Sequence, residues 1–452
     1  MSETVVPDGL STPQRHWAVL TIALAVGLAV LDGAIANIAL PTIAADLHTS
    51  ASASIWVVNA FQLAVMVSLL PLASVGEIYG YRRVYLVGVA VFTAASLLCA
   101  TSHTLTGLTI ARVVQGFGAA GVMSINTALI RYTYPRSMLG RGIGINALVV
   151  AGCSALGPTI ASAILSVADW PWLFAVNVPL GLACLAIGVR ALPVTPRAGH
   201  RFDAGSALLN ALALTLLITG IDGYAQGEAP VEALLELAGS LVVGALLVRR
   251  QLSRPAPLLP VDLLRIPLFR LSILTSICSF TAQSLAFVAL PFALEGAMGW
   301  NVKATGLLMT PWPLALAFVA PIAGRLADRV SAGILGGIGL AALCCGLLAM
   351  SLLRPDASAL DIVWRMALCG VGYGFFQSPN NRAIVGSAPM SRAGGASGML
   401  GTARLLGQSL GAALVAVIFS SGGGAHEALL LAAAMAGAGM LASVMRIARR
   451  PV

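Results

Sequence analysis

Apolar residues run along this chain in long blocks interrupted by short polar turns. A helix needs about 20 apolar residues to cross a bilayer core of about 30 Å. That ruler predicts membrane helices near 17–40, 54–75, 84–101, 106–130, 139–167, 171–191, 205–223, 232–249, 269–294, 303–323, 331–352, 360–381, 394–421 and 427–446, about fourteen in all. The blocks are rich in Leu, Ala, Val and Gly, are about twice the length of a barrel strand and show no period-2 alternation, so the expected class is all-α rather than a β-barrel. The first block contains Asp32 and has no convincing small-residue cleavage site, which argues for a retained helix rather than a signal peptide.

Composition points the same way, since 58% hydrophobic and 10% charged residues leave too little polar surface to coat a soluble globule of 452 residues. The positive charges fall mostly on one side. If the N-terminus is cytoplasmic, the cytoplasmic loops hold Arg82, Arg83, Arg131, Arg136, Arg141 and most of the later arginines, while the opposite loops hold Lys303, Arg354 and most of the acids. This bias predicts both termini in the cytoplasm. The net charge of +9 is therefore mainly a topology signal, and no soluble basic module suggests nucleic-acid binding. The seven cysteines lie in apolar runs without metal-ligand or disulfide spacing. No HExxH, GxxxxGK[ST] or Ser/His/Asp arrangement is present, so neither an enzyme nor an ATP-driven pump, and no cofactor or metal, is expected.

The chain repeats itself. The turn Ser74 to Arg83 (SVGEIYGYRR) after the second block has a counterpart in Gly324 to Val330 (GRLADRV), and Arg112 to Gly118 (RVVQGFG) is echoed by Arg365 to Gly372 (RMALCGVG) with the glycines offset by one residue. Two six-helix halves with a site between them near mid-membrane are how many secondary transporters are built. The expected organisation is a six-helix bundle over 1–191, two additional helices with linkers over 192–268, and a second six-helix bundle over 269–452.

Five segments, Leu31 to Pro41 (LDGAIANIALP), the acid-and-arginine turn, Ala111 to Gly121 (ARVVQGFGAAG), Ala151 to Pro158 (AGCSALGP) and Trp170 to Gly181 (WPWLFAVNVPLG), together resemble the major facilitator superfamily. With the two central helices, the pattern is similar to its fourteen-helix drug:proton antiporter branch, which includes exporters of quaternary ammonium compounds and methyl viologen. The resemblance implies a proton-coupled exporter of lipophilic, cationic compounds in a bacterial inner membrane, working by alternating access as a monomer with protons, small solutes and lipid as its partners. The chain departs from the family pattern at Ala34, Ala73, Ile78, Ala161 and Ser162. Export of an endogenous metabolite, or a receptor or assembly role on the same fold, are the alternatives.

Individual residues sharpen this. Asp32 lies about 15 residues, or about 22 Å, into helix 1, where an ionised carboxylate is costly and a group that loads and unloads a proton is most useful. A structural acid bonded to neighbouring helices is the alternative. Arg112 is its companion charge by the resemblance, with a purely structural role equally open. Asn59, Gln62, Gln283, Gln377, Asn380 and Asn381 are candidates to line a substrate cavity, with Phe287 and Trp312 offering aromatic faces suited to organic cations; interhelical packing is the alternative for each. Glu295, near the end of helix 9, reads first as an exposed interfacial acid, with a role as a vestibule acid as the alternative. Glu77 with Arg82 and Arg83, and Asp328 with Arg329, are expected conformational latches. Gly152, Gly157 and Pro158 form the helix-5 antiporter motif, where Pro158 removes a backbone donor and invites a kink or a close helix contact.

Overall fold

The computed structural model describes residues 9–49, 54, 56–199, 201–225, 230–254, 257–300 and 302–448, apart from some side chains within the helices. Fourteen stretches of the described chain are long and apolar enough to cross a membrane. They are built on α1 (Thr12–Asp46), α2 (Trp56–Tyr79), α3 (Tyr81–Ala100), α4 (Leu105–Met123), α5 (Leu139–Leu165), α6 (Asn177–Ala191), α7 (Ala204–Ala225), α8 (Pro230–Gln251), α9 (Pro267–Pro291), α10 (Pro311–Leu326), α11 (Ala332–Ser351), α12 (Ala359–Ser387), α13 (Ala393–Ser420) and α14 (Ala425–Ala448). The blocks read from hydropathy match these elements because lipid supplies no partner for a backbone N–H or C=O, so each apolar run must satisfy its own backbone as helix.

Three expected spans are interrupted. The fourth continues past α4 as the short helix Asn126–Thr133, the sixth is preceded by Pro171–Ala175, and the tenth begins as Val302–Met309 before α10. In the tenth the restart falls at Pro311, which cannot donate to the preceding turn. After α9 the chain widens into a single π-type turn, Phe292–Ala297, which carries Glu295; the Glu295 side chain lies outside the described residues. Helix α5 runs unbroken through Gly157 and Pro158, and the Pro158 side chain also lies outside the described residues.

The chain divides into two compact units. One comprises residues 1–142, 152–207 and 389–398, the other 143–151, 208–388 and 399–452. Inside lipid, whose tails are as apolar as the side chains, the hydrophobic effect does not drive helices together, so small residues that admit close packing decide which faces meet. In the first unit a Cβ on Gly116 would lie 2.7 Å from the Phe61 carbonyl oxygen on α2, and one on Gly118 would lie 2.9 Å from the Gly88 carbonyl oxygen on α3. The second unit repeats the device: Gly370 lies against the Trp312 carbonyl on α10, and a Cβ on Gly372 would lie 2.6 Å from the Gly339 carbonyl oxygen on α11. The Gly-x-Gly pairs of α4 and α12 are thus equivalent wedges. The one-residue offset falls on the arginines. One residue is about 100° of helix rotation, and Arg365 accordingly bonds Asp361 of its own helix, whereas Arg112 reaches α1.

Apolar cores lie inside each unit, around Val57, Leu108, Trp170 and Phe174 in the first and around Leu285, Trp312, Leu343 and Tyr373 in the second. Helices α7 and α8 pack on each other, with the Ser240 hydroxyl donating to the Ala213 carbonyl at 2.8 Å. Their remaining surface, including Leu208, Leu234 and Leu241, is exposed and suits lipid rather than water.

Candidate functional site

Asp32 and Arg112 meet in the interior of the first unit. Both are buried, and Arg112 Nη1 donates to Asp32 Oδ2 at 2.5 Å. The other carboxylate oxygen, Oδ1, accepts from Gln115 Nε2 and from Asn177 Nδ2, each at 2.8 Å. Arg112 also donates to Gln115 Oε1 at 2.6 Å and through Nε to the Val57 carbonyl at 2.9 Å. Its guanidinium carbon sits 4.2 Å from the centroid of the Phe61 ring and 5.5 Å from that of Phe174. Gln115 is anchored in turn by the Ser96 hydroxyl at 2.9 Å. Five membrane helices contribute: α1 the acid, α4 the arginine and glutamine, α3 the serine, α6 the asparagine, and α2 the Val57 carbonyl and the Phe61 ring.

Among the described residues every hydrogen bond at the Asp32 carboxyl is donated to it, by Arg112, Gln115 and Asn177. Arg112 has alternatives when released, in the Val57 carbonyl, Gln115 Oε1 and two aromatic faces. Sequence reading named the ion pair but not Gln115 or Asn177, although both stand in the segments that carried the family resemblance. Gln115 lies three residues from Arg112, on the same helix face.

The turn acids have partners other than those expected. Glu77 is buried and bonds Arg392 Nη1 at 2.7 Å and the Gly395 backbone N–H at 2.7 Å. Arg82 donates instead to the Val189 carbonyl, and Arg83 is exposed. Asp328 pairs with Arg382 at 3.4 Å, while Arg329 is exposed. Glu77 stands on α2 and Arg82 and Arg83 on α3, while Asp328 and Arg329 lie in the turn after α10, and each acid finds its base on another segment.

The cavity candidates separate into two groups. Asn59, Gln62, Gln283, Gln377 and Asn381 are half-buried or exposed and make no hydrogen bond among the described residues, which leaves their amides available to a solute. Asn380 does not belong with them. It is fully buried, donates to the Ser276 hydroxyl at 2.8 Å, and accepts from Arg446 Nη1 at 2.7 Å. Phe287 and Trp312 stand edge to face with centroids 5.1 Å apart, and Trp312 and Tyr373 lie 6.4 Å apart. Gly152 is not a wedge, since a Cβ there would meet nothing within 4 Å.

Fourteen apolar helices in two units, each closed by equivalent glycine wedges, and a charge cluster deep in one of them, define a multi-pass membrane transporter. The chain belongs to the major facilitator superfamily, whose profile matches residues 22–412. It is 56% identical over 447 residues to the uncharacterized transporter YebQ of Escherichia coli K12, covering 98% of each chain. It is 31% identical to the riboflavin transporter RibZ of Clostridioides difficile, over 90% of this chain and 89% of that one. It is 30% identical to the multidrug resistance protein Stp of Mycobacterium tuberculosis, over 86% and 73% of the two chains. Among solved structures, the human organic anion transporter MFSD10 shares the fold with a TM-score of 0.71 at 15% identity, over 95% of this chain and 99% of that one.

Proposed function

We propose that this transporter is a proton-coupled antiporter that exports lipophilic organic compounds across a bacterial inner membrane, with both termini in the cytoplasm. The observation that carries the reading is the buried Asp32, bonded by Arg112, Gln115 and Asn177. A proton arriving from outside neutralises Asp32 and frees Arg112 to withdraw to the Val57 carbonyl and the Phe61 face. Returning the proton to the cytoplasm restores the pair. Because the pair bridges α1 and α4, its making and breaking gives proton binding a mechanical output on two helices. Glu77 with Arg392, and Asp328 with Arg382, serve as latches whose release accompanies the change of state. The similarity to Stp supports export of drugs. The expectation of cationic substrates drew on the family resemblance and on aromatic faces; the charge standing near those rings is the arginine Arg404, which favours lipophilic aromatic compounds without a demand for positive charge.

The test is transport by purified protein in proteoliposomes with an imposed pH gradient, using a panel of lipophilic fluorescent compounds. Proton movement triggered by a transported compound supports the reading, and transport indifferent to the gradient overturns it. A second reading, carriage of a cellular metabolite, draws on the similarity to RibZ; a deletion strain with unchanged susceptibility to a broad toxic-compound panel favours it.

A further inference from the structure

Arg404 is an arginine about 17 Å into α13 at 1.5 Å per residue, close to the middle of the membrane. Unlike Arg112, it has no acid. No hydrogen bond or ion pair engages it among the described residues, and its one electrostatic neighbour is the Tyr373 hydroxyl. The residue as a whole is half-buried. A charged group in hydrocarbon without a partner is costly and marks a pathway or a ligand site.

Two further groups nearby lack partners. The Tyr373 hydroxyl and the Trp312 indole N–H are fully enclosed, and neither makes a hydrogen bond among the described residues. A buried donor left unsatisfied costs about 1–3 kcal/mol, and two such donors joined by one aromatic cluster call for an acceptor that arrives from elsewhere. The cluster consists of Phe280, Phe287, Trp312, Tyr373 and Phe376, with successive ring centroids 5.1 to 6.4 Å apart. Helix α13 is pressed onto this cluster, since a Cβ on Gly407, one turn beyond Arg404, would lie 2.7 Å from the Phe280 Cβ.

We propose that the second unit recognises an aromatic substrate bearing an anionic oxygen, a carboxylate or ionised phenol. Arg404 takes the anionic oxygen, Trp312 and Tyr373 donate to it or to a neighbouring oxygen, and the rings pack against the aromatic body. Tyr373 and Trp312 are enclosed in this conformation, so binding turns one or both towards the ligand. This assignment names the substrate class of the exporter proposed above and rests on that reading for its role in transport, but not for binding itself.

The experiment measures binding to purified full-length protein of 9-anthracenecarboxylate and of its uncharged methyl ester, followed by fluorescence. The wild type is expected to bind the acid at least about tenfold more tightly than the ester, a ratio of the size that one charge-assisted contact supplies. Arg404→Ala should bring the ratio to near one, and Arg404→Lys should keep part of it because the charge remains but the planar fork is lost. Trp312→Phe and Tyr373→Phe, which keep the rings and delete the donors, should each weaken acid binding several-fold. Equal binding of acid and ester by the wild type overturns the proposal, as does failure to bind either, and neither result depends on a variant folding. A ratio that survives Arg404→Ala overturns it too. If the preference holds while a pH gradient fails to drive 9-anthracenecarboxylate across proteoliposomes, the anion site stands and the proton-coupled reading falls.

Discussion

Replacing Asp32 by Asn removes one charge and keeps the side-chain shape, which makes it a mimic of the protonated carboxyl. The Asn carbonyl oxygen can still accept from one or two of the donors that converge on Asp32, but Arg112 is left buried without a counter-charge. Deleting one partner of a buried pair costs about 3–5 kcal/mol when the remaining ion is stranded. Arg112 is not fully stranded, since it keeps the Val57 carbonyl at 2.9 Å, Gln115 Oε1 at 2.6 Å and the Phe61 face. The expected loss is therefore at the lower end, about 3 kcal/mol, read as a drop of several degrees in Tm for detergent-purified protein. Arg112→Gln in the Asp32→Asn background removes the stranded charge and should recover part of that loss. In proteoliposomes the single variant should still bind substrate but lose transport driven by a pH gradient. An Asp32→Asn protein that transports with wild-type coupling would refute the assignment of the proton to this residue. One with unchanged Tm would show that the buried pair contributes no net stability.

Gly118→Val should prevent close packing of α4 on α3, where a Cβ would already lie 2.9 Å from the Gly88 carbonyl oxygen; a cost of about 3 kcal/mol or more predicts loss of monodisperse protein on size exclusion, and Gly372→Val should do the same through α11. Glu77→Gln and Arg392→Gln, alone and together, should give a coupling energy of about 1–3 kcal/mol in a thermal double-mutant cycle, and additive effects would deny the latch. Asn380→Ala deletes the acceptor that Arg446 uses at 2.7 Å and should cost about 2 kcal/mol, whereas Asn380→Asp, which supplies a counter-charge, should cost less. A Tm order with Ala above Asp would show that Asn380 is not the partner of Arg446.

The membrane helices were legible in the sequence because hydropathy is a local property, and lipid forces each apolar run to close its own hydrogen bonds. Asp32 and Arg112 were legible for a related reason: an ionisable group inside such a run stands out whatever surrounds it. Arg404 carried the same signal, as a charge in the middle of the thirteenth block, but the sequence reading did not single it out. What the sequence could not show is that it lacks a partner, since that depends on which residues α9, α10 and α12 bring beside it.

The sequence by itself determined the number of spans, the repeat, and the presence of charges at membrane depth. Tertiary structure decided who meets whom. Glu77 finds Arg392, 315 residues away, rather than the arginines of its own turn. Gln115 and Asn177 converge on the same oxygen of Asp32 from different helices. Arg365 turns to its own helix because one residue of offset rotates it about 100° from the direction that Arg112 takes. Helical periodicity fixes the face on which a residue stands, and only the packing of small residues between helices fixes what that face looks at.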